Sequence, residues 1–408
     1  MYALEILRIF VFFKNMYQTT YQPNTRLHVA DALRGLAIVG IILIHNVEHM
    51  NFYRFPEAAS TWMIFLNKET WDSIFFTFSG KMYSIFALMF GLSFFIQNDN
   101  QMQKGNDFSL RFIWRMTILL LFGIINTFFY NGDIFVSYAV FGMLMPLVSK
   151  LNTKAVAFIT IFLLIQPIEI YQTIAALLNP DYQLINANSG KYFQIMFQTQ
   201  GNGSFWECGR DSLKYGQLAT LAWNIESGRT TQLPGLFFLG MLLGRTRLFY
   251  NEKNNLKTWL GILAIALLVL FPSYGLYNII PEYVSRKEIT VPLQLLFKAW
   301  GNLSQTFMYI SLLVLLFYSI PMMQKFMMKL TAFGRSSMTN YFMQSILGAT
   351  LYYGWGFGLY RYCGPAISFL IGICMVLIQY CFCRWWLSTH SHGPFEGVWK
   401  KWTWIKFK

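Results

Sequence analysis

A run of ionisable residues interrupts an otherwise apolar segment near the start of the chain, His45-Asn-Val-Glu48-His49. Histidines four residues apart share one face of a helix, and a glutamate beside them can accept a proton or activate water. His45 could be a general base assisted by Glu48, a packed structural imidazole, or part of the H-x-x-E-H pattern of zinc peptidases. The sequence identifies no third zinc ligand, so we predict no metal site.

Arg34 precedes His45 by eleven residues, which is three helical turns or roughly 16 Å along an α-helix. Asp31 stands three residues before Arg34 and can pair with it across one turn. Arg34 is therefore either neutralised within its own helix or a cation that an anionic ligand can reach. The spacing predicts that Arg34 lies near the aqueous end of the helix and that His45 lies far from that end.

Two further charges lie in or beside apolar segments. Lys81 either snorkels to the outer headgroups or holds an anionic group such as a phosphate or a thioester carbonyl. Asp133 follows the turn signal Asn131-Gly132, where capping the next helix is the expected role. The alternative role for Asp133 is to orient His45, because both residues would lie toward the outer side.

The composition indicates a membrane protein. Hydrophobic residues make up 55% of the 408 and charged residues only 12%, about half the share that a soluble surface requires. The net charge of +14 would suggest nucleic acid in a soluble protein, but here the basic residues lie in short runs between apolar segments, as the positive-inside rule predicts. We therefore exclude nucleic acid as a partner. The five cysteines have no metal-ligand or disulfide-framework spacing.

Ten apolar windows are candidates to cross a bilayer, and they predict an all-α, polytopic bundle of about ten transmembrane helices. With the N terminus inside, the predicted cytoplasmic loops hold 21 Lys and Arg and the outer loops nine, which predicts that both termini are cytoplasmic. The windows lie near residues 30–49, 73–97, 113–130, 134–149, 155–178, 233–249, 257–280, 294–320, 336–353 and 364–387.

These windows divide the chain into four parts. Residues 1–25 form an N-terminal extension, read either as an interfacial helix or as sequence before a start at Met16. Residues 26–178 form a first transmembrane half of five helices, and 179–232 an extracytoplasmic loop whose mixed charge predicts folded structure. Residues 233–408 form a second half of five helices with a basic, aromatic tail that fits the cytoplasmic interface.

Six motifs in a fixed order resemble the YeiB family of bacterial inner-membrane proteins, whose C-terminal half is a domain of unknown function. The match runs from about residue 26 to 403. The motifs are Asp31-Ala-Leu-Arg-Gly-Leu-Ala-Ile-Val-Gly, Gly80-Lys-Met-Tyr-Ser-Ile-Phe-Ala-Leu-Met-Phe-Gly, Asn131-Gly-Asp-Ile-Phe with Tyr138, Leu239-Gly-Met-Leu-Leu-Gly-Arg, Gly334-Arg-Ser-Ser-Met-Thr-Asn-Tyr-Phe-Met-Gln-Ser and Gly393-Pro-Phe-Glu-Gly-Val-Trp.

The resemblance implies a multi-pass protein of the bacterial inner membrane and a distant kinship to transmembrane acyltransferases. One related group carries an arginine, ten residues and a histidine on its first helix, and Arg34 and His45 keep that spacing. On this reading His45 takes a proton from the acceptor, and Glu48 or Asp133 orients its ring. The candidate donor- or substrate-binding residues are Arg34, Lys81, Arg115, Asn340 and Gln344.

Three classes of function therefore stay open. The first is acyl transfer from a cytoplasmic donor such as acyl-CoA, a co-substrate rather than a tightly bound cofactor, to an envelope glycan or lipid. The second is a transporter or permease for a small solute, in which the same charges line a pathway. The third is a non-catalytic membrane scaffold. The chain carries no G-x-x-x-x-G-K-[ST] loop, which argues against ATP coupling, and the acceptor and oligomeric state are not encoded in these motifs.

Overall fold

The computed structural model describes residues 26–56 and 60–405. All regular secondary structure in this part of the chain is helical, with no β-strand, which confirms the all-α class. The predicted extension 1–25 lies outside the described residues. The helices are α1 His28–His45, α2 Thr61–Phe78, α3 Lys81–Met102, α4 Ser109–Thr127, α5 Ile134–Gly142, α6 Met145–Ser149, α7 Thr153–Leu164, α8 Pro167–Leu178, α9 Ser189–Asn202, α10 Phe205–Asp211, α11 Gln217–Glu226, α12 Arg229–Arg245, α13 Lys253–Tyr283, α14 Lys287–Ser319, α15 Pro321–Arg335, α16 Ser337–Tyr352, α17 Pro365–Leu387 and α18 Pro394–Thr403.

Helix α1 lies at the centre of the bundle. Two thirds of its most apolar stretch (67%) is buried inside the protein, against 22% for α13, which leaves α13 at the periphery. Helix α1 packs against α15, α3 and α17. The contact with α15 is close because of glycines: a Cβ atom on Gly35 would lie 2.0 Å from the Leu330 carbonyl oxygen. Small residues let membrane helices approach in this way.

Six helical segments are long and apolar enough to cross a membrane by themselves, and the bent pair α7–α8 makes a seventh, counted over the described residues. The remaining predicted spans correspond to α5–α6, α12 and α16, which are shorter. Helices α12 and α16 are mostly buried, so protein rather than lipid surrounds them. The protein is therefore an all-α membrane protein, while the count of ten spans and the cytoplasmic termini stay predictions.

Loops predicted to lie on one side of the membrane contact one another. The Arg111 guanidinium donates to the Thr403 carbonyl oxygen, which joins two predicted cytoplasmic regions. The Thr220 hydroxyl donates to the Asn131 carbonyl oxygen, which joins two predicted outer regions. The segment 179–232 contains α9, α10 and α11, so it is folded, while its place on the extracytoplasmic side stays a prediction.

Helices α2 and α3 follow one another almost without a break. Gly80 interrupts them with a φ of +77°, a left-handed conformation that glycine adopts without strain. The break places Lys81 in the first turn of α3, where it is buried.

Candidate functional site

The C-terminal end of α1 widens into a π-helical turn, Asn46–Met50, directly after His45. Such turns are rare and frequently occur at functional sites. The chain then reverses through Phe52 and Tyr53, which both have positive φ angles (57° and 56°). Two consecutive non-glycine residues in this conformation are strained, and the strain is offset only by the surrounding contacts. The reversal brings Tyr53 back over the π-helical turn.

The imidazole of His45 packs against aromatic rings. Its centroid lies 4.9 Å from that of Tyr130 and 5.8 Å from that of His49. The Nδ1 atom of His45 is buried and has no hydrogen-bond partner among the described residues. An unpaired buried nitrogen is costly for a structural residue, whereas a substrate group or a water molecule can supply the partner in a functional site.

Glu48 contacts Tyr53 and His49. The Tyr53 hydroxyl donates to Glu48 Oε1 at 2.8 Å, and His49 Nδ1 lies 3.4 Å from the same oxygen. Neither Glu48 nor Asp133 is hydrogen-bonded to His45, so the orienting bond considered from the sequence is not made in this structure. The glutamate thus lies beside the second histidine of the motif rather than the first, although His49 Nδ1 forms no hydrogen bond with a described residue.

Asp133 caps α5, as its position after the Asn131-Gly132 turn predicts. One carboxylate oxygen accepts from the backbone N–H groups of Phe135 and Val136, and the other accepts from the Asn126 amide at 2.5 Å. These bonds occupy the carboxylate, which gives Asp133 a structural role beside the site.

His45, Glu48 and His49 line a cavity of about 100 Å³, which we call the histidine cavity. Arg229, the first residue of α12, lines it as well. The guanidinium carbon of Arg229 lies 3.9 Å from the ring centroid of Trp223 and 4.4 Å from that of Tyr83, so the cation is held against two aromatic faces.

A second cavity, of about 480 Å³, lies beside the N-terminal part of α1, and we call it the basic cavity. Its volume is in the range of sites for small ligands and cofactors. Five of its lining residues are Arg or Lys and one is acidic, so it would attract an anion. The charged residues are Arg26, Arg34, Arg115, Arg335, Lys400 and Glu396.

Arg34 and Arg115 are brought together in the basic cavity. Arg34 donates to Asp31 at 2.8 Å and to Ser93 at 2.9 Å, so the helix-internal pairing is present. Its Nε atom is nevertheless buried without a partner. The Arg115 guanidinium carbon lies 3.7 Å from the ring centroid of Trp399, whose indole N–H donates to the Arg115 carbonyl oxygen. Helix α18 thus holds Arg115 at the wall.

His392 and Glu396 complete the wall of the basic cavity. Burial holds the pKa of His392 below its usual value, and the positive charges of Lys400, Arg26 and Arg335 lower it further. Burial also raises the pKa of the Glu396 carboxyl, even though backbone N–H groups at the start of α16 donate to it.

The other predicted binding residues lie elsewhere. Lys81 contacts the rings of Phe76 and Tyr274 at 5.5 and 5.6 Å and lines neither cavity. Asn340 is buried, and its amide donates to the Ser336 carbonyl oxygen at 2.8 Å. Gln344 is buried between helices, and both of its amide atoms lack partners among the described residues. These three residues are therefore not brought together with Arg34 and Arg115.

Tyr138 is the residue that both cavities share. Its ring packs 4.9 Å from that of Phe237 and 5.3 Å from that of Phe90. The cavities thus lie on either side of one tyrosine, near opposite halves of α1. His45 and Arg34 face different cavities, as their separation along the helix leads one to expect.

Arg229 and Tyr138 line the site but were not among the residues predicted from the sequence. Arg229 was placed in an outer loop, where a cation is ordinary, and only packing brings it to the histidines. Tyr138 belongs to one of the motifs, but its residue type did not indicate a particular chemical role. Among residues 26–56 and 60–405, no three His, Cys, Asp or Glu side chains are grouped so that they could hold a metal ion.

Residues 243–406 match the family described as a protein of unknown function, DUF418. The uncharacterised protein YxaH of Bacillus subtilis is 26% identical over 94% of this chain and 96% of its own length. An uncharacterised 39.9 kDa protein from the amylase 3′ region of Bacillus acidopullulyticus is 23% identical over 93% and 94% of the two chains. The uncharacterised protein YeiB of Escherichia coli is 24% identical over 91% and 95%.

No solved structure matches the chain. The relatives align along nearly the whole sequence, and the C-terminal domain matches in the region where the resemblance predicted it. This all-α membrane protein is therefore similar to the YeiB family over most of its length, and these matches support its assignment to that family.

Proposed function

We propose that the protein is a transmembrane acyltransferase of the bacterial inner membrane. It moves an acyl group from a cytoplasmic donor such as acyl-CoA to a hydroxyl or amine of an envelope glycan or lipid. The observation that carries the proposal is the pair of cavities that meet at Tyr138, one rich in cations and the other holding His45.

The basic cavity supports binding of the donor. A coenzyme A thioester carries several phosphate charges, and arginine binds phosphate through charge-assisted hydrogen bonds. Arg34 and Arg335 each have a buried Nε atom without a partner among the described residues. The inner wall of the cavity is apolar, with Phe135 and Tyr138, and would accept the thioester arm.

His45 supplies the base for the acceptor in the histidine cavity. It takes the proton from the acceptor hydroxyl or amine while that oxygen or nitrogen attacks the thioester carbonyl carbon. The carbon–sulfur bond then breaks, and the coenzyme A thiolate leaves and takes up a proton. One ester or amide bond forms, one thioester bond is lost, and no cofactor is consumed.

The test is transfer of labelled acetyl from acetyl-CoA, with free thiol measured in parallel, in membrane vesicles that contain the protein. We expect thiol release together with label in a lipid or glycan fraction, and density for coenzyme A in the basic cavity of the purified protein. Solute uptake without thiol release would instead support a permease, and neither activity would support a scaffold. Either of these outcomes contradicts the acyltransferase proposal.

A further inference from the structure

The histidine cavity contains a cation, Arg229, that forms no ion pair with an acidic side chain of the described residues, although Glu48 lies within its electrostatic range. Seven ion pairs occur elsewhere in the described ranges. The acid nearest in the cavity, Glu48, accepts instead from Tyr53. The two aromatic faces that hold the guanidinium leave its N–H edge available to a ligand.

Two tyrosine hydroxyls at the same cavity also lack partners. The hydroxyl groups of Tyr83 and Tyr138 are buried without a hydrogen bond to any described residue, and both residues line the histidine cavity. A buried hydroxyl without a partner is costly, so two of them beside an unpaired guanidinium indicate a missing acceptor group. A phosphate offers several strong acceptor oxygens, enough for all three side chains.

The surrounding charge agrees with an anion. Lys298 lies within electrostatic range of Arg229 and of Glu48, and Lys81 lies within range of Lys298, so the cations near the cavity outnumber its one acid. Neither lysine forms an ion pair with a described residue. The cavity is small, about 100 Å³, so it suits a phosphate with a short hydroxyl-bearing arm better than a long oligosaccharide.

We propose that the histidine cavity binds a phosphate ester of a small polyol or sugar. Arg229 holds the phosphate, and the hydroxyls of Tyr83 and Tyr138 donate to it. A free hydroxyl of the same molecule then faces His45 and is the group that receives the acyl chain. The identification of this hydroxyl as acceptor rests on the proposed function, whereas binding of the phosphate does not.

The experiment measures binding to the purified full chain in phosphatidylcholine nanodiscs, with glycerol 3-phosphate as the probe and glycerol as its neutral counterpart. We expect glycerol 3-phosphate to bind and glycerol not to bind. Arg229→Gln should weaken binding at least about tenfold, as expected for loss of a charged hydrogen-bond donor. Tyr83→Phe keeps the ring under the guanidinium and should weaken binding by roughly two- to tenfold. Arg210→Gln is the matched control, because Arg210 is exposed and pairs with its neighbour Asp211.

A second arm distinguishes the source of the phosphate. If a lipid headgroup is the natural ligand, nanodiscs that contain phosphatidylglycerol should raise the melting temperature of wild type but not of Arg229→Gln. If a free phosphate ester is the ligand, only glycerol 3-phosphate should do so. Equal binding by wild type and a folded Arg229→Gln variant would overturn the inference, and so would failure of both probes to bind wild type. Arg229-dependent binding without any thiol release from acetyl-CoA would keep the anion site and reject the acyltransferase.

Discussion

The basic cavity and the histidine cavity differ in size, charge and the state of their polar groups. The first has about 480 Å³ and five cationic side chains, whereas the second has about 100 Å³, one arginine, one glutamate and two histidines. A large cationic site favours a bulky polyanion, and a small aromatic site favours a single small group. The difference suggests that two unlike substrates enter from opposite ends of α1 and meet near Tyr138.

The two sites also hold their arginines in different ways. In the basic cavity, Asp31 and Ser93 hold Arg34 by hydrogen bonds and leave one nitrogen unpaired. In the histidine cavity, Arg229 is held by ring contacts, without a hydrogen bond or an ion pair to a described residue. A hydrogen-bonded arginine is already partly neutralised, while one held by aromatic rings keeps its N–H groups for a ligand. The position of Arg229 therefore depends more strongly on a bound ligand than the position of Arg34 does.

If two substrates enter from opposite ends of α1, the two cavities open to opposite sides of the membrane. In a background without the five natural cysteines, Asn106→Cys and Lys253→Cys should react only with a reagent applied to the cytoplasmic face. Glu282→Cys and Asn202→Cys should react only from outside. All four positions are exposed, whereas Asn131 is too buried for labelling. Labelling of Asn202→Cys from the cytoplasm would remove the basis for transfer across the membrane.

Replacing His45 should have the largest effect on activity. His45→Asn removes the base but keeps a polar side chain, so acyl transfer should fall by about a hundredfold or more. The free energy of unfolding should change by no more than about 1 kcal/mol. Activity would be measured as thiol release from acetyl-CoA.

His49→Asn is the control for His45→Asn, and we expect a much smaller loss. His49 contacts Glu48 and Tyr53, so its replacement disturbs their network without removing the proposed base. An equal loss in both variants would move the base to the His49–Glu48 pair. Full activity in a folded His45→Asn variant would reject the assignment.

Replacing Arg115 should weaken the donor site alone. Arg115→Gln removes a half-buried cation from the wall of the basic cavity, and the dissociation constant for coenzyme A should rise about tenfold. Arg384→Gln, an exposed arginine in the last turn of α17, is the matched control and should bind as wild type does. Equal affinities of Arg115→Gln and wild type, measured by calorimetry, would place the donor elsewhere.

The smallest effect concerns pH. His392 is mostly neutral at neutral pH, because burial and nearby cations lower its pKa. Phosphates bound beside it would offset those charges and raise the pKa, so binding would take up a proton. Affinity for coenzyme A should therefore increase a few-fold as the pH falls from 8 toward the ordinary range of histidine, about 6.5.

The variant His392→Asn separates this effect from that of Glu396, whose pKa is raised by burial and which would also take up a proton as the pH falls. We expect most of the pH dependence to disappear in the variant. If the whole slope persists in calorimetric titrations of His392→Asn, the linkage belongs to Glu396 and not to His392.

Local patterns were enough to predict some features of the site. The cap of α5 by Asp133 followed from a turn signal and a short carboxylate, because both partners lie within three residues. The pairing of Asp31 with Arg34 followed from helical spacing. The orientation of Glu48 could not be predicted, because it depends on the left-handed backbone conformations of Phe52 and Tyr53. Nothing in the sequence distinguishes these two residues from an ordinary helix end.

The sequence by itself determined the class of the protein and the depth of its charges. An apolar composition with few charges needs a membrane around it, and one helix sets the distance between Arg34 and His45 whatever surrounds it. Tertiary structure alone decided which charges share a cavity. Arg115 joins Arg34 while Lys81 does not, and Arg229 reaches the histidines from a helix almost two hundred residues away. Such contacts depend on how helices pack, and packing between distant segments leaves no periodic trace along the chain.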